Sequence, residues 1–191
     1  MKLGKEYYQQ KNVIWLARDL IGKVLVTHFD GVLTSGIICE TEAYNGVVDK
    51  ASHSYGGRRT KRTETMYAAG GVAYVYLCYG IHHLFNIVTH EENTPHAILI
   101  RGIEPLEGIP EMLKRKKINK AKKGMGIGPG NVSVCLGIFT HHDKEDLMGN
   151  SIWIEDRQLK VIKKNILTGP RVGVDYAGED ALLPYRFRYN F

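Results

Sequence analysis

A chain of 191 residues can bury one substantial hydrophobic core and is short for two. With 43% hydrophobic and 24% charged residues it is neither a disordered nor a collagen-like chain. A net charge of +6 suits a polyanionic partner without requiring one.

Near the start, Val13, Leu16, Ala17, Leu20 and Ile21 recur at helical spacing and Gly22 offers a stop, which predicts an amphipathic helix. No apolar signal core precedes it, and no run approaches the roughly 20 apolar residues of a membrane span. The three cysteines, Cys39, Cys78 and Cys135, are widely spaced in apolar surroundings, which predicts buried thiols and no disulfide framework. A cytoplasmic protein is expected, nucleoid-associated if the source is bacterial.

Residues 23–29 and Val32–Tyr44 are rich in β-formers and flank Asp30-Gly31, a dipeptide suited to the positive φ angles of a tight hairpin. Alternation along the second run sets Cys39, Thr41 and Ala43 on one face and Glu40, Glu42 and Tyr44 on the other. Residues 45–71 have no apolar period and read as a long loop with a short helical turn, and loops of that length are commonly functional. Residues 72–79 and 81–89 are strand-like around Gly80, and 97–103 is a further apolar strand containing Arg101, so an antiparallel meander is expected. A lysine-rich connector follows, Lys114 to Lys123, with few apolar anchors, and reads as a solvated basic face. The glycines of 124–130 lead into a short helix over 131–136, and the tail ends in the alternating run from Tyr185 to Tyr189.

Two constellations carry chemistry. Glu40 and Glu42, on one strand face and about 6.5–7 Å apart along the chain, form an acid/base geometry in which like charge would raise one pKa and leave the other group ionised. By residue pattern alone the two are equivalent. In the second, Tyr74 and Tyr76 share a strand face while Tyr79, just before Gly80, projects from a turn, where an aromatic ring can wedge between base pairs. The cluster Arg58, Arg59, Lys61 and Arg62 adds positive charge to the long loop. Metal chemistry is not expected: His82 and His83 are neighbours on a strand and point to opposite faces, and no CxxC pair occurs. The glycine-rich run 124–130 lacks the lysine and hydroxyl of a nucleotide-binding loop, although its backbone amides could approach a DNA phosphate.

These features occur together in one family. From about Leu16 to Phe187 the chain resembles the alkyladenine (3-methyladenine) DNA glycosylases shared by mammals and many bacteria. The resemblance rests on Glu40-Thr41-Glu42-Ala43-Tyr44, His53-Ser54-Tyr55-Gly56-Gly57-Arg58, Tyr74-Val75-Tyr76 with Tyr79-Gly80, and Asn86-Ile87. It continues in the run from Arg101 to Gly108, in Gly128-Pro129-Gly130 and in Arg171-Val172-Gly173-Val174. The resemblance implies a single α+β domain over residues 1–191, a curved antiparallel β-sheet core flanked by helices as in the formyltransferase C-terminal-domain-like fold.

Residue by residue, it implies Glu42 as general base with Arg101 helping to hold the attacking water. Tyr44 and Tyr76 would stack on a flipped base and His53 would contact its edge. Asn86 would reject the exocyclic amino group of normal guanine, Tyr79 would intercalate, and Arg58 and Arg62 would lie near the DNA backbone. Lys61 and Arg59 depart from a proline and a glutamine common in the family, and the basic connector matches poorly. The implied protein is a monomer without metal or cofactor that acts on double-stranded DNA containing a damaged purine, such as 3-methyladenine, 7-methylguanine, hypoxanthine or ethenoadenine, and leaves an abasic site. Two alternatives from other classes are a carbohydrate glycosidase using Glu40 and Glu42 as an inverting pair, and a non-enzymatic nucleic-acid-binding domain.

Overall fold

A computed structural model describes residues 1–191. Two short helices open the chain, Lys5–Tyr8 (α1) and Val13–Asp19 (α2). Asn12 caps the second, its side-chain oxygen accepting the Trp15 N–H at 2.9 Å, and the helix ends two residues before the expected Ile21. Strands Val24–Phe29 (β1) and Val32–Tyr44 (β2) are joined by Asp30 and Gly31 at φ 51° and 77°, the hairpin expected of that dipeptide. The sheet continues with Ala73–Cys78 (β3), His82–Thr89 (β4) and His96–Glu107 (β5). Helices Ile109–Lys116 (α3) and Pro129–Leu136 (α4) follow, then Ile152–Glu155 (β6), Leu167–Gly169 (β7) and Arg186–Arg188 (β8).

The strands make one curled antiparallel sheet in the order β3-β4-β5-β2-β1-β6, with β7 and β8 branching from β2. The expected meander is β3-β4-β5, and β5 then pairs back to β2 along most of its length. The thirteen-residue β2 carries β5 on one edge and is shared on the other, by β1 over Val32 to Ile37 and by β8 over Glu40 to Glu42.

The two faces of the sheet bury different things. On β4, Phe85 and Ile87 join a 28-residue core with Leu16 of α2, Leu20 just past its end, and Val132, Cys135 and Leu136 of α4, and this α+β core runs from Leu3 to Phe187. Asn86 and Val88 alternate to the opposite face, where Val88 packs with Met66, Tyr67, Tyr74 and Ala97. Residues 45–71 cover that face as three single 3-10 turns, Gly46–Val48, Tyr55–Gly57 and Glu64–Tyr67. Helices thus seal one side and a polar loop roofs the other.

Three expectations need correction. The lysine-rich connector begins inside α3, whose Met112 is fully buried, and Arg115 reaches inward to donate to the Cys135 carbonyl at 3.0 Å. Cys78 is only half-buried, unlike Cys39 and Cys135. The helix after the glycine-rich run begins at Pro129, two residues before the expected Asn131, and within the run a Cβ on Gly126 would lie 2.4 Å from the carbonyl oxygen of Ile103 while Ile127 bridges to Gly102. Gly126→Ala must push the loop off β5 and is expected to cost about 1–3 kcal/mol of stability, read as a lowered denaturation midpoint.

Candidate active site

The site is built where β2 and β5 fall out of register. Cys39 has no partner between the Ile38↔Ile103 and Glu40↔Gly102 pairs, and Arg101 has none between Glu40↔Gly102 and Thr41↔Ile100. Such a bulge re-aims the side chain it carries. Arg101 accordingly lies with the two glutamates, its Nε 3.1 Å from Glu40 Oε1 and 3.5 Å from Glu42 Oε1. Arg186 of β8 completes the cluster by donating its Nε–H to Glu40 Oε1 at 2.6 Å.

Glu42 has no exposed surface. Its Oε1 accepts the Val172 N–H at 2.8 Å and its Oε2 accepts the Tyr44 hydroxyl at 3.0 Å. Burial raises its pKa above the usual carboxylate range, opposed in turn by Arg101, the Val172 N–H, the Tyr44 hydroxyl and Arg186. Desolvation therefore does what repulsion from Glu40 was expected to do, because a guanidinium stands within reach of both carboxylates. Glu40 is 2% exposed and pinned by two arginines, so it cannot serve as the second half of an inverting glycosidase pair, which needs both carboxyl groups facing one sugar.

In front of this cluster opens a cavity of about 740 Å³. Tyr44, His53, Tyr76, Tyr79, Asn86 and Arg101 all line it, together with Arg62. Glu42 does not: it sits behind the wall, hydrogen-bonded to Tyr44 and Val172 and ion-paired with Arg101, all three of which line the cavity. His53 packs edge-on to Tyr76 with ring centroids 4.8 Å apart and places Nδ1 3.0 Å from the Tyr74 hydroxyl. Burial, then the charges of Arg62 and Arg58, lower its pKa to about 4, so the ring is neutral at physiological pH. The Asn86 amide donates to the carbonyls of Tyr74 and Leu84 at 3.1 and 3.2 Å, which holds the side chain in one orientation.

Tyr79 stands at the mouth, 90% exposed. It and Gly80 both adopt positive φ, 50° and 72°, and the Ile81 N–H closes the turn onto the Cys78 carbonyl at 3.2 Å. For a tyrosine this left-handed backbone costs about 1–2 kcal/mol relative to the right-handed region.

Arg58 lies outside the main cavity, in an adjoining hollow of about 510 Å³ that also takes in Lys50, Arg62, Ser52, Tyr55 and Thr60. Arg62 belongs to both, its guanidinium 5.1 Å from the Tyr76 ring centre. No lysine lines the main cavity, and no group of three or more His, Cys, Asp or Glu is disposed to hold a metal ion. Residue reasoning missed the wall formed by Val172 to Val174 and by Gly128 to Asn131. Both segments are among those carrying the family resemblance, and chemistry-bearing side chains were the wrong signal for them because Val172 acts through its backbone N–H.

The model of the methylpurine-DNA glycosylase (MPG) family matches residues 6–190. A protein of Chlamydia felis with the provisional name 3-methyladenine DNA glycosylase is 44% identical over 189 residues, covering 98% of this chain and 96% of the relative. Similarly named proteins of Desulfitobacterium hafniense, 42% identical with 97% and 94% covered, and Clostridium perfringens, 44% identical with 98% and 95% covered, are alike over nearly their full lengths. The chain belongs to the methylpurine-DNA glycosylase family, whose members are hydrolases of N-glycosyl bonds.

Proposed function

We propose that the protein flips an alkylated or deaminated purine out of duplex DNA into the cavity, stacks it between Tyr44 and Tyr76, and hydrolyses its N-glycosidic bond to leave an abasic site. The substrates are 3-methyladenine and 7-methylguanine, with hypoxanthine and ethenoadenine as neutral members of the range. Glu42 is the general base, and the observation that carries the reading is its setting: a desolvated carboxylate hydrogen-bonded to two groups that edge an aromatic cavity and ion-paired with a third. A raised pKa makes it a stronger base than an exposed glutamate, nearer the match of base strength to operating pH that proton transfer favours. The 3.5 Å separation of Arg101 Nε from Glu42 Oε1 is longer than a hydrogen bond, and a water drawn in beside the pair would accept from Arg101 and give its proton to Glu42.

The rest of the cavity suits such a base. C1′ is shielded in stacked DNA, and extrusion costs a few kcal/mol, less where damage weakens pairing. Stacking recovers about 1–3 kcal/mol per base and tolerates many bases, which favours a broad range. A neutral His53 adds no charge against a cationic methylpurine, and the anchored Asn86 amide stands as a fixed obstacle to the exocyclic amino group of guanine. The hollow with Lys50, Arg58 and Arg62 beside Ser52, Tyr55 and Thr60 suits a backbone phosphate next to the flipped nucleotide. A monomer is the proposed active form, since one chain supplies every residue given a role.

The test is incubation with duplexes bearing one 7-methylguanine, hypoxanthine or ethenoadenine, followed by hot alkali to cut at abasic sites. Cleavage after alkali alone is expected, with no adduct trapped by borohydride because no lysine lines the cavity. Absence of cleavage on every duplex, or strand scission without alkali, would refute the hydrolytic mechanism.

A further inference from the structure

Arg171 and Asp49 form a buried ion pair whose side chains are 0% and 1% exposed. The guanidinium is bidentate: Nη2 donates to Asp49 Oδ1 at 2.8 Å and Nη1 to Oδ2. It also donates to the Ala43 carbonyl at 2.9 Å and the Asp180 carbonyl at 3.1 Å, and it lies between the rings of Tyr44 and Tyr185, 4.9 and 5.3 Å from their centres. Asp49 accepts in addition the N–H groups of Asn45 at 2.9 Å and Ala51 at 3.0 Å. The end of β2, the roof loop and the 171–180 segment are thereby tied to one point.

That point lies one bond path from the proposed base. The residue after Arg171 donates the N–H that binds Glu42 Oε1, and the ring backed by Arg171 carries the hydroxyl that binds Glu42 Oε2. Both partners that orient the carboxylate, apart from Arg101, are therefore held by one guanidinium. Stability does not explain the arrangement: a buried ion pair is commonly no more stabilising than an apolar pair of the same size, and here the Arg171 Nε–H is left without a partner.

We propose that Asp49 and Arg171 are a positioning pair for catalysis, fixing the Glu42 carboxylate through the Val172 N–H and the Tyr44 ring through its face. The proposal rests on Glu42 being the general base. The groups facing Glu42 are Arg101 from β5, Arg186 from β8, Glu40 and Tyr44 from β2, and Val172, with Arg171 and Tyr176 farther off. Loosening Val172 removes a donor that favours the ionised carboxylate, so the pKa of Glu42 moves further up.

The experiment compares single-turnover excision from a duplex bearing one 7-methylguanine across pH for the full-length protein, Arg171→Lys, Tyr185→Leu and Glu42→Gln. Lysine keeps the charge and loses the fork; Tyr185→Leu keeps the ion pair and loses the backing ring outside the cavity. Arg171→Lys is expected to excise about 10–100-fold more slowly at neutral pH, as misplacement of a reacting group does. Its acid limb should shift to higher pH, with affinity for a duplex containing an abasic analogue unchanged. Tyr185→Leu should move the acid limb the same way by less. A wild-type acid limb in Arg171→Lys, whatever its rate, overturns the proposal and leaves the pair a tether; should that variant not fold, a wild-type acid limb in Tyr185→Leu overturns it. Full activity in Glu42→Gln would instead remove the general-base reading on which it rests.

Discussion

Glu42→Gln is expected to slow excision by about 10²–10⁴-fold, the range supplied by general base catalysis, while duplex affinity is retained. The same change should raise stability at alkaline pH. Burial holds the folded-state pKa of Glu42 above its unfolded value, so folding favours the neutral acid. The stability this contributes is complete below the unfolded carboxylate pKa and is lost as pH rises through the folded value. Above that value wild type carries a desolvated charge that glutamine lacks, whereas glutamine can still accept the Val172 N–H. Thermal melts should therefore place Glu42→Gln above wild type at about pH 8 and show the gap closing as the pH falls toward the usual carboxylate range. A variant that excises normally ends the general-base role; one that melts lower at pH 8 shows that the charged contacts to Arg101 outweigh burial.

Tyr79→Ala should lose lesion excision while keeping affinity for undamaged duplex, since the basic hollow is untouched. If the ring fills the gap left by the extruded base, its loss forfeits stacking of about 1–3 kcal/mol, equivalent to roughly 5–150-fold in flipping-dependent rate. Tyr79→Gly provides the control. Glycine takes the left-handed turn without the cost borne by tyrosine, so this variant should melt no lower than wild type and be as defective as alanine. Excision by Tyr79→Ala at the wild-type rate would exclude the wedge.

Much of the frame is legible from local signals. Asp30-Gly31 and the turn before Gly80 mark two hairpins because positive φ is strongly tied to residue type, and the period-2 alternation correctly puts Glu40, Glu42 and Tyr44 on one face. What is illegible depends on register or distance. In α3 the run Lys114-Arg115-Lys116 follows closely on the buried Met112 and masks its apolar stripe, and β6, β7 and β8 are three or four residues long. Arg101 is visible as a charged residue within an apolar strand, but the bulge that turns it toward the glutamates is a mismatch between two strands and has no sign in either alone. The equivalence of Glu40 and Glu42 likewise ends only when Arg186, 146 residues from Glu40, arrives to pin the former.

That long-range pairing sets an order on biosynthesis. The cavity walls from residue 44 to residue 134 can be in place once α4 has left the ribosome, yet the strand edge beside Glu40 and Glu42 stays unpaired until β8 emerges. A nascent or prematurely terminated chain would hold two acidic groups in an apolar setting with one guanidinium between them. It would thus be poorly suited to close on DNA before synthesis is nearly finished, and competence would be among the last properties the polypeptide acquires.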